Sequence, residues 1–153
     1  MQRFGALECC TDMIITDTIV RVRYADTDQM KFAYYGKYFE YFEQGRSDLL
    51  RQIGIPYPEI ENKGYFLPVI EAHANYMKSA RYDDELLVKT IFTEAPQARL
   101  HIEYEVLNNA TKDVMATGYT VHSFLNALTG KPTRAPEFFL DALKRYRERD
   151  TSL

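Results

Sequence analysis

Tryptophan is absent from the 153 residues, and cysteine occurs only as the adjacent pair Cys9 and Cys10. Adjacent cysteines rarely bridge each other, and their spacing matches no zinc or redox motif, so a disulfide framework is excluded. Two reduced thiols fit a cytoplasmic protein. No apolar run approaches the length that spans a bilayer, and the opening MQRFGALECCTD is too polar and short for a signal sequence. A strong excess of one charge is also missing: the net charge of −3 argues against nucleic acid or an anionic membrane as the main partner. There is no GxSxG elbow, no metal-ligand spacing, no internal repeat and no linker-like tract.

What is present is an ordinary soluble-globule composition, 46% hydrophobic and 27% charged, with twelve tyrosines and nine phenylalanines. Tyrosine can bury its ring while its hydroxyl keeps a partner, which suits packed interfaces. The length suits one domain, expected over residues 16–148 between an irregular leader (1–15) and a tail (149–153).

The pattern is organised around residues 21–46, RVRYADTDQMKFAYYGKYFEYFEQGR. A strand is expected from Thr16 to Tyr24, with Val20, Val22 and Tyr24 on one face and Arg21 and Arg23 on the other. After Asp26 and Asp28 the period changes. Tyr35, Tyr38, Phe39, Phe42, Leu49, Leu50 and Ile53 fall on one face of a helix of about five turns, stopped by Gly54 and Pro56. Gly36 and Gly45 lie inside that pattern and cost helix propensity, for which close approach to a sheet would compensate.

From Pro68 the period becomes two. Ile70, Ala72, Ala74 and Tyr76 alternate with Glu71, His73 and Asn75 as a half-buried strand. Leu86, Val88, Thr90 and Phe92 form a further inward row, as do Leu100, Ile102, Tyr104 and Val106. A last long strand covers about Val114 to Leu125, and Pro136 opens a terminal helix bearing Phe139, Leu143 and Tyr146 on one face. Strand, long helix, four strands, helix implies an α+β domain: a five-stranded antiparallel sheet wrapped around one long helix, with a short C-terminal helix.

The chemistry concentrates where the first strand gives way to the helix. The first turn of a helix carries N–H groups without internal partners and partial positive charge. A carboxylate beside such an end can do acid–base or nucleophilic work next to an anion-stabilising site. Asp28 occupies that position. The plainer alternative is that Asp26, Thr27 and Asp28 only cap the helix or shape the turn.

Tyr24, Asp26, Asp28, Tyr35, Tyr38, Glu43 and Arg46 stand at the matching positions of a known signature: aromatic-x-Asp-x-Asp, a hydrophobic stretch with tyrosine, then an aromatic and acidic helix ending near arginine. The run resembles the 4-hydroxybenzoyl-CoA thioesterase family of hotdog-fold acyl-CoA thioesterases. VIEAHANYMKSARYDDEL at 69–86 is similar to that family's second motif, and the likeness extends over about residues 17–143. It implies a hotdog fold, acyl-CoA hydrolysis without metal or redox cofactor, and dimers or tetramers with active sites between subunits. The family's catalytic carboxylate is the second aspartate of the motif, which is Asp28.

On this reading the N-terminal amides of the long helix, at Tyr35 and Gly36, polarise the thioester carbonyl, and Asp28 attacks it or activates water. Lys78, Arg81 and Arg99 are candidates for the coenzyme A phosphates, with Lys131 and Arg134 as further cations. Two departures from the pattern stand out. The glycine three residues beyond the motif aspartate is Lys31, and the loop after the third strand reads APQAR, with only Arg99 charged. Hydratases of the hotdog superfamily pair their aspartate with a histidine five residues on; Ala33 stands there, which disfavours hydration. Helix glutamates serve a related thioesterase class, and Glu40 and Glu43 are the equivalents here, although Glu43 and Arg46 read as an i, i+3 pair. His73 and His101 fall on polar strand faces, and His122 falls within the last strand. The competing functions are a non-catalytic module that binds acyl thioesters and a hydrolase for acyl groups on carrier protein.

Overall fold

The computed structural model describes residues 13–93 and 95–151; Cys9 and Cys10 of the leader lie outside them. The long strands are β1 (Ile14–Arg21), β3 (Val69–Tyr76), β4 (Glu85–Phe92), β5 (Arg99–Asn108) and β6 (Val114–Ser123). They form a five-stranded sheet in the order β1-β4-β5-β6-β3, and every pairing in it is antiparallel. Two short strands that the alternation did not reveal, β2 (Tyr65–Phe66) and β7 (Leu125–Asn126), pair separately.

The inward rows of β1, β4 and β5 bury beneath α1 (Lys37–Gln52), a helix of 16 residues and about 24 Å. Leu86, Val88, Thr90 and Phe92 on β4 and Leu100, Ile102, Tyr104 and Val106 on β5 are buried, as their alternation predicts. Phe42 of α1 stacks on Tyr104 with ring centroids 4.4 Å apart and planes 8° from parallel. Two glycines permit this approach. A Cβ at Gly45 would strike the Thr90 hydroxyl and come within 3.0 Å of Val88 Cγ1, and one at Gly118 would lie 2.7 Å from the Phe42 ring. The compensation expected for Gly45 is therefore present. Gly36 is instead the N-cap of α1 and lies outside its interior.

Three expectations need correcting. The first strand stops at Arg21, and Tyr24 lies in a single 3-10 turn (Tyr24–Asp26) with its ring 78% exposed, because the chain turns there to bury Asp26. The helix begins after Tyr35, whose ring is 60% exposed, and its buried face includes Tyr41, which the apolar stripe omitted. Finally, β3 is not half-buried in this chain. It is an edge of the sheet, so Ile70 and Tyr76 remain 49% and 46% exposed despite their inward alternation.

A short helix, α2 (Tyr57–Asn62), follows α1, and α3 (Glu137–Thr151) closes the chain with Phe139 and Leu143 buried. This is the expected C-terminal helix, and it runs as far as Thr151, into the stretch read as a tail. Among the described residues no helix is long and apolar enough to cross a membrane.

Candidate active site

The loop between β1 and α1 folds into a tight hairpin, with Thr27 bridged to Ala33. The Asp28 N–H donates to the Phe32 carbonyl at 2.9 Å, and the Lys31 N–H donates to the Asp28 carbonyl at 2.9 Å. Lys31 takes up φ = 68°, the left-handed region that glycine enters most readily. The missing family glycine thus leaves the turn intact, with a lysine carrying the strain. Residues 80–81 stitch the hairpin to the body: the Ala33 N–H donates to the Ala80 carbonyl at 2.8 Å, and Phe32 bridges to Arg81.

The two motif aspartates have different environments. Asp26 is 2% exposed and is held by the Arg23 N–H (3.0 Å), the Arg23 guanidinium (3.1 Å) and the Tyr41 hydroxyl (3.1 Å). Burial alone would push its pKa up; the hydrogen bonds from Arg23 and Tyr41 outweigh this and hold the carboxyl below its ordinary range. The same burial, with the Asp26 charge alongside, pushes the Tyr41 phenol up. Asp26 also accepts the Tyr34 N–H on its main-chain carbonyl at 2.8 Å, tying the hairpin to the start of α1. Its bonding capacity is spent on structure.

Asp28 is half-buried. Its Oδ1 accepts the N–H of Met30 at 2.9 Å and of Phe32 at 3.4 Å, while Oδ2 has no partner among the described residues. It faces a cleft of about 220 Å³ bordered by Phe32, Tyr35, Tyr38, Tyr76, Met77 and Lys78, among others. Neither aspartate caps α1: Asp28 closes its own turn, and the Gly36 N-cap supplies no side chain. The N–H groups of Tyr35 and Gly36 accordingly have no acceptor among the described residues, whereas the next amide, Lys37, already donates to Tyr34 at 2.9 Å. Asp28, with one carboxylate oxygen free of partners, and Tyr35, at the uncapped head of α1, therefore border one aromatic-walled cleft; Gly36 follows Tyr35 in the chain but does not itself line it.

The structure brings some expected residues together and separates others. Asp28, Tyr35 and Lys78 border the same cleft, with Lys78 ion-paired to Asp113 at 3.1 Å. Arg81 sits beside it, its guanidinium 5.4 Å above the Phe32 ring. Arg99 does not join them within one chain. It pairs with Ser123, while Tyr76 pairs with Ala116, seven residues back along β6, so Arg99 is about 23 Å away at roughly 3.3 Å per residue. Glu40 and Glu43 border a separate polar groove, Glu40 in an ion pair with Lys37 at 3.1 Å. The expected Glu43–Arg46 pair is replaced: Arg46 turns inward and donates to the Tyr57 hydroxyl at 3.0 Å, because the adjoining core offers buried phenols.

His73 and His101 are exposed, stacked on either side of Tyr119 at 5.4 and 5.2 Å. His122 is fully buried. Tyr76, Met77 and Tyr38 line the cleft without having been singled out as site residues. The only local signal was the inward alternation of Tyr76; what made it a site residue is a contact made 41 positions away. Among the described residues no cluster of three or more His, Cys, Asp or Glu could hold a metal ion.

Sheet, enclosed helix and cleft at the helix N-terminus together define a hotdog-fold α+β protein of the thioesterase class. The profile of the thioesterase-like superfamily matches residues 22–143, and the chain belongs to that superfamily. It is similar to a Bacillus subtilis protein described as the putative acyl-CoA thioesterase YneP, at 31% identity over 98 residues, 64% of this chain and 71% of that one. It also resembles the acyl-CoA thioesterase YbgC of Haemophilus influenzae, at 30% identity over 59% of this chain and 67% of that one. Among solved structures, the DHNA-CoA thioesterase of Staphylococcus aureus superposes with a TM-score of 0.80 at 31% identity, covering 90% of this chain and 91% of that one.

Proposed function

We propose that the protein hydrolyses acyl-CoA thioesters, with Asp28 as the catalytic carboxylate and the Tyr35 and Gly36 amides as donors to the thioester carbonyl. The observation that carries this is that Asp28, with its Oδ2 free of partners, borders the same cleft as Tyr35, the residue at the uncapped head of α1. Charge that develops on the carbonyl oxygen would be met by donors already in place, which is where such groups contribute most to rate. The Asp28 carboxylate then either attacks the carbonyl carbon, expelling the CoA thiolate and leaving an acyl anhydride for water to open, or takes a proton from the attacking water. Thiolate is a good leaving group, so neither route requires a strong general acid.

The working unit in this reading is a homodimer or larger homo-oligomer. The β3 edge is unpaired in this chain, and Val69, Ile70, Tyr76 and Met77 along it are 44–54% exposed. Antiparallel pairing of two such edges would bring the Arg99 end of a second copy's sheet towards the cleft, where its cations would join Lys78 and Arg81 around the CoA phosphates. Sedimentation of the intact protein tests the assembly; a monomer at assay concentration refutes it.

Thiol release from short, long-chain and aromatic acyl-CoAs, run beside the same acyl groups on carrier protein, tests the activity. Turnover of one CoA series and its loss in Asp28→Asn supports the proposal. Stoichiometric binding without thiol release would make the protein a non-catalytic binder. Incorporation of labelled water oxygen into Asp28 during a single turnover separates attack by the carboxylate from base catalysis.

A further inference from the structure

From the hydrogen bond between the Tyr76 hydroxyl and the Tyr35 carbonyl, 2.9 Å, we infer that Tyr76 is a positioning residue that fixes the direction of the Gly36 N–H at the head of α1. The inference deepens the thioesterase reading above and rests on it.

The Tyr35 carbonyl and the Gly36 N–H belong to one peptide unit. That unit is planar and trans, so its C=O and N–H point in opposite directions, and holding one end sets the other. Inside a helix, hydrogen bonds from successive turns orient each peptide. Here the Tyr35–Gly36 peptide precedes the first full turn. The Tyr35 carbonyl accepts the Tyr38 N–H at 3.3 Å, and the Gly36 N–H has no acceptor among the described residues. Gly36 has no side chain to restrain the peptide, and its own backbone is the most permissive of any residue. The shorter bond to this carbonyl comes from β3, a different element, 41 residues along the chain.

The donor itself is held firmly. The Tyr76 ring packs edge-on against Tyr38, with centroids 5.2 Å apart, and Tyr38 is 2% exposed. It also meets the Tyr35 ring edge-on at 6.5 Å. Tyr76 thus fastens the end of the edge strand to the first turn of the helix. Its hydroxyl approaches the peptide from the carbonyl side, and the Gly36 N–H at the opposite side of that peptide stays without an acceptor among the described residues. A donor that must stabilise a developing oxyanion gains from being fixed before the reaction, and small misplacement is costly.

Tyr76→Phe keeps both ring contacts and removes only the hydroxyl. The expected result is a fall in kcat of roughly 10- to 100-fold with KM within about threefold, because the lost alignment acts chiefly on the transition state. The Gly36 amide resonance of the same variant, followed by 15N–1H correlation, should move, since its own peptide has lost an acceptor bond. A Tyr119→Phe variant, which removes an exposed tyrosine hydroxyl bonded to Glu71 outside the cleft, should keep both the kcat and the Gly36 resonance of the parent. Parental kcat in Tyr76→Phe, or an unmoved Gly36 resonance, overturns the inference. Absence of thioester hydrolysis by the parent protein, or full activity of Asp28→Asn, instead overturns the thioesterase reading, and the Gly36 resonance still decides whether Tyr76 holds the peptide.

Discussion

Acidification should destabilise the fold through one buried imidazole. His122 is fully buried, its Nδ1 3.2 Å from the Leu67 carbonyl and its Nε2 2.9 Å from Thr120 Oγ1. A carbonyl only accepts, so Nδ1 carries the proton, Nε2 is the acceptor and the Thr120 hydroxyl donates to it. Tyr104, 2.7 Å from Thr120 Oγ1, must then donate to Thr120, and its own oxygen accepts from Arg46. The chain therefore runs one way, from Arg46 through Tyr104 and Thr120 to His122 and Leu67. A second proton on the imidazole would oppose Thr120, add charge in the core and face the Arg46 cation. Burial, then Arg46, pushes its pKa down to about 4 from the ordinary 6.5.

The sign follows from which state holds the proton. Between pH 6.5 and about 4 the unfolded chain takes up a proton that the folded protein refuses, so stability is lost as the pH falls through that window. At about 1.4 kcal/mol for each tenfold change in proton affinity, the full effect is about 3 kcal/mol, or roughly 6–12 °C in Tm for a chain of this size. Asp26 acts lower: its pKa is held below the ordinary 3.8, so its contribution is present above that value and goes only at more acid pH. Urea unfolding across the window at fixed protein concentration measures the slope, with His122→Gln as the control that cannot titrate. A flat parent profile, or the same slope in His122→Gln, would refute the directed chain.

Other outcomes follow from the same structure. Asp28→Asn should fold with the parent's unfolding midpoint and lose about 10²- to 10⁴-fold in thioester turnover, read by thiol release. Gly45→Ala should cost about 1–3 kcal/mol in urea unfolding, because its Cβ meets Thr90 and Val88 and α1 must lift from the sheet. Lys31→Gly should raise stability by about 0.5–1 kcal/mol, since φ = 68° strains lysine more than the added freedom of glycine costs; a drop in midpoint would contradict that account.

The sequence alone determined what depends on neighbours along the chain. Period-two alternation placed the inward rows of β4 and β5, and the 3.6 period placed the buried face of α1, because side-chain direction repeats with the local backbone. Glycine at 45 announced a close approach without naming what approached. The motif at the β1–α1 junction pointed to Asp28 over Asp26; their surroundings in the folded chain differ, one carboxyl enclosed by Arg23 and Tyr41 and the other keeping an oxygen free.

Tertiary structure decided what depends on register and order in the sheet. Placing β3 at an edge left Ile70 and Tyr76 exposed where alternation implied burial. Antiparallel pairing set Tyr76 beside α1 and carried Arg99 to the far end. Arg46 passed over the glutamate one helical turn away for tyrosines that the folded core brings near. These partners are far apart in sequence, and no local period encodes which of them meet, since that is set by how the strands line up around the helix.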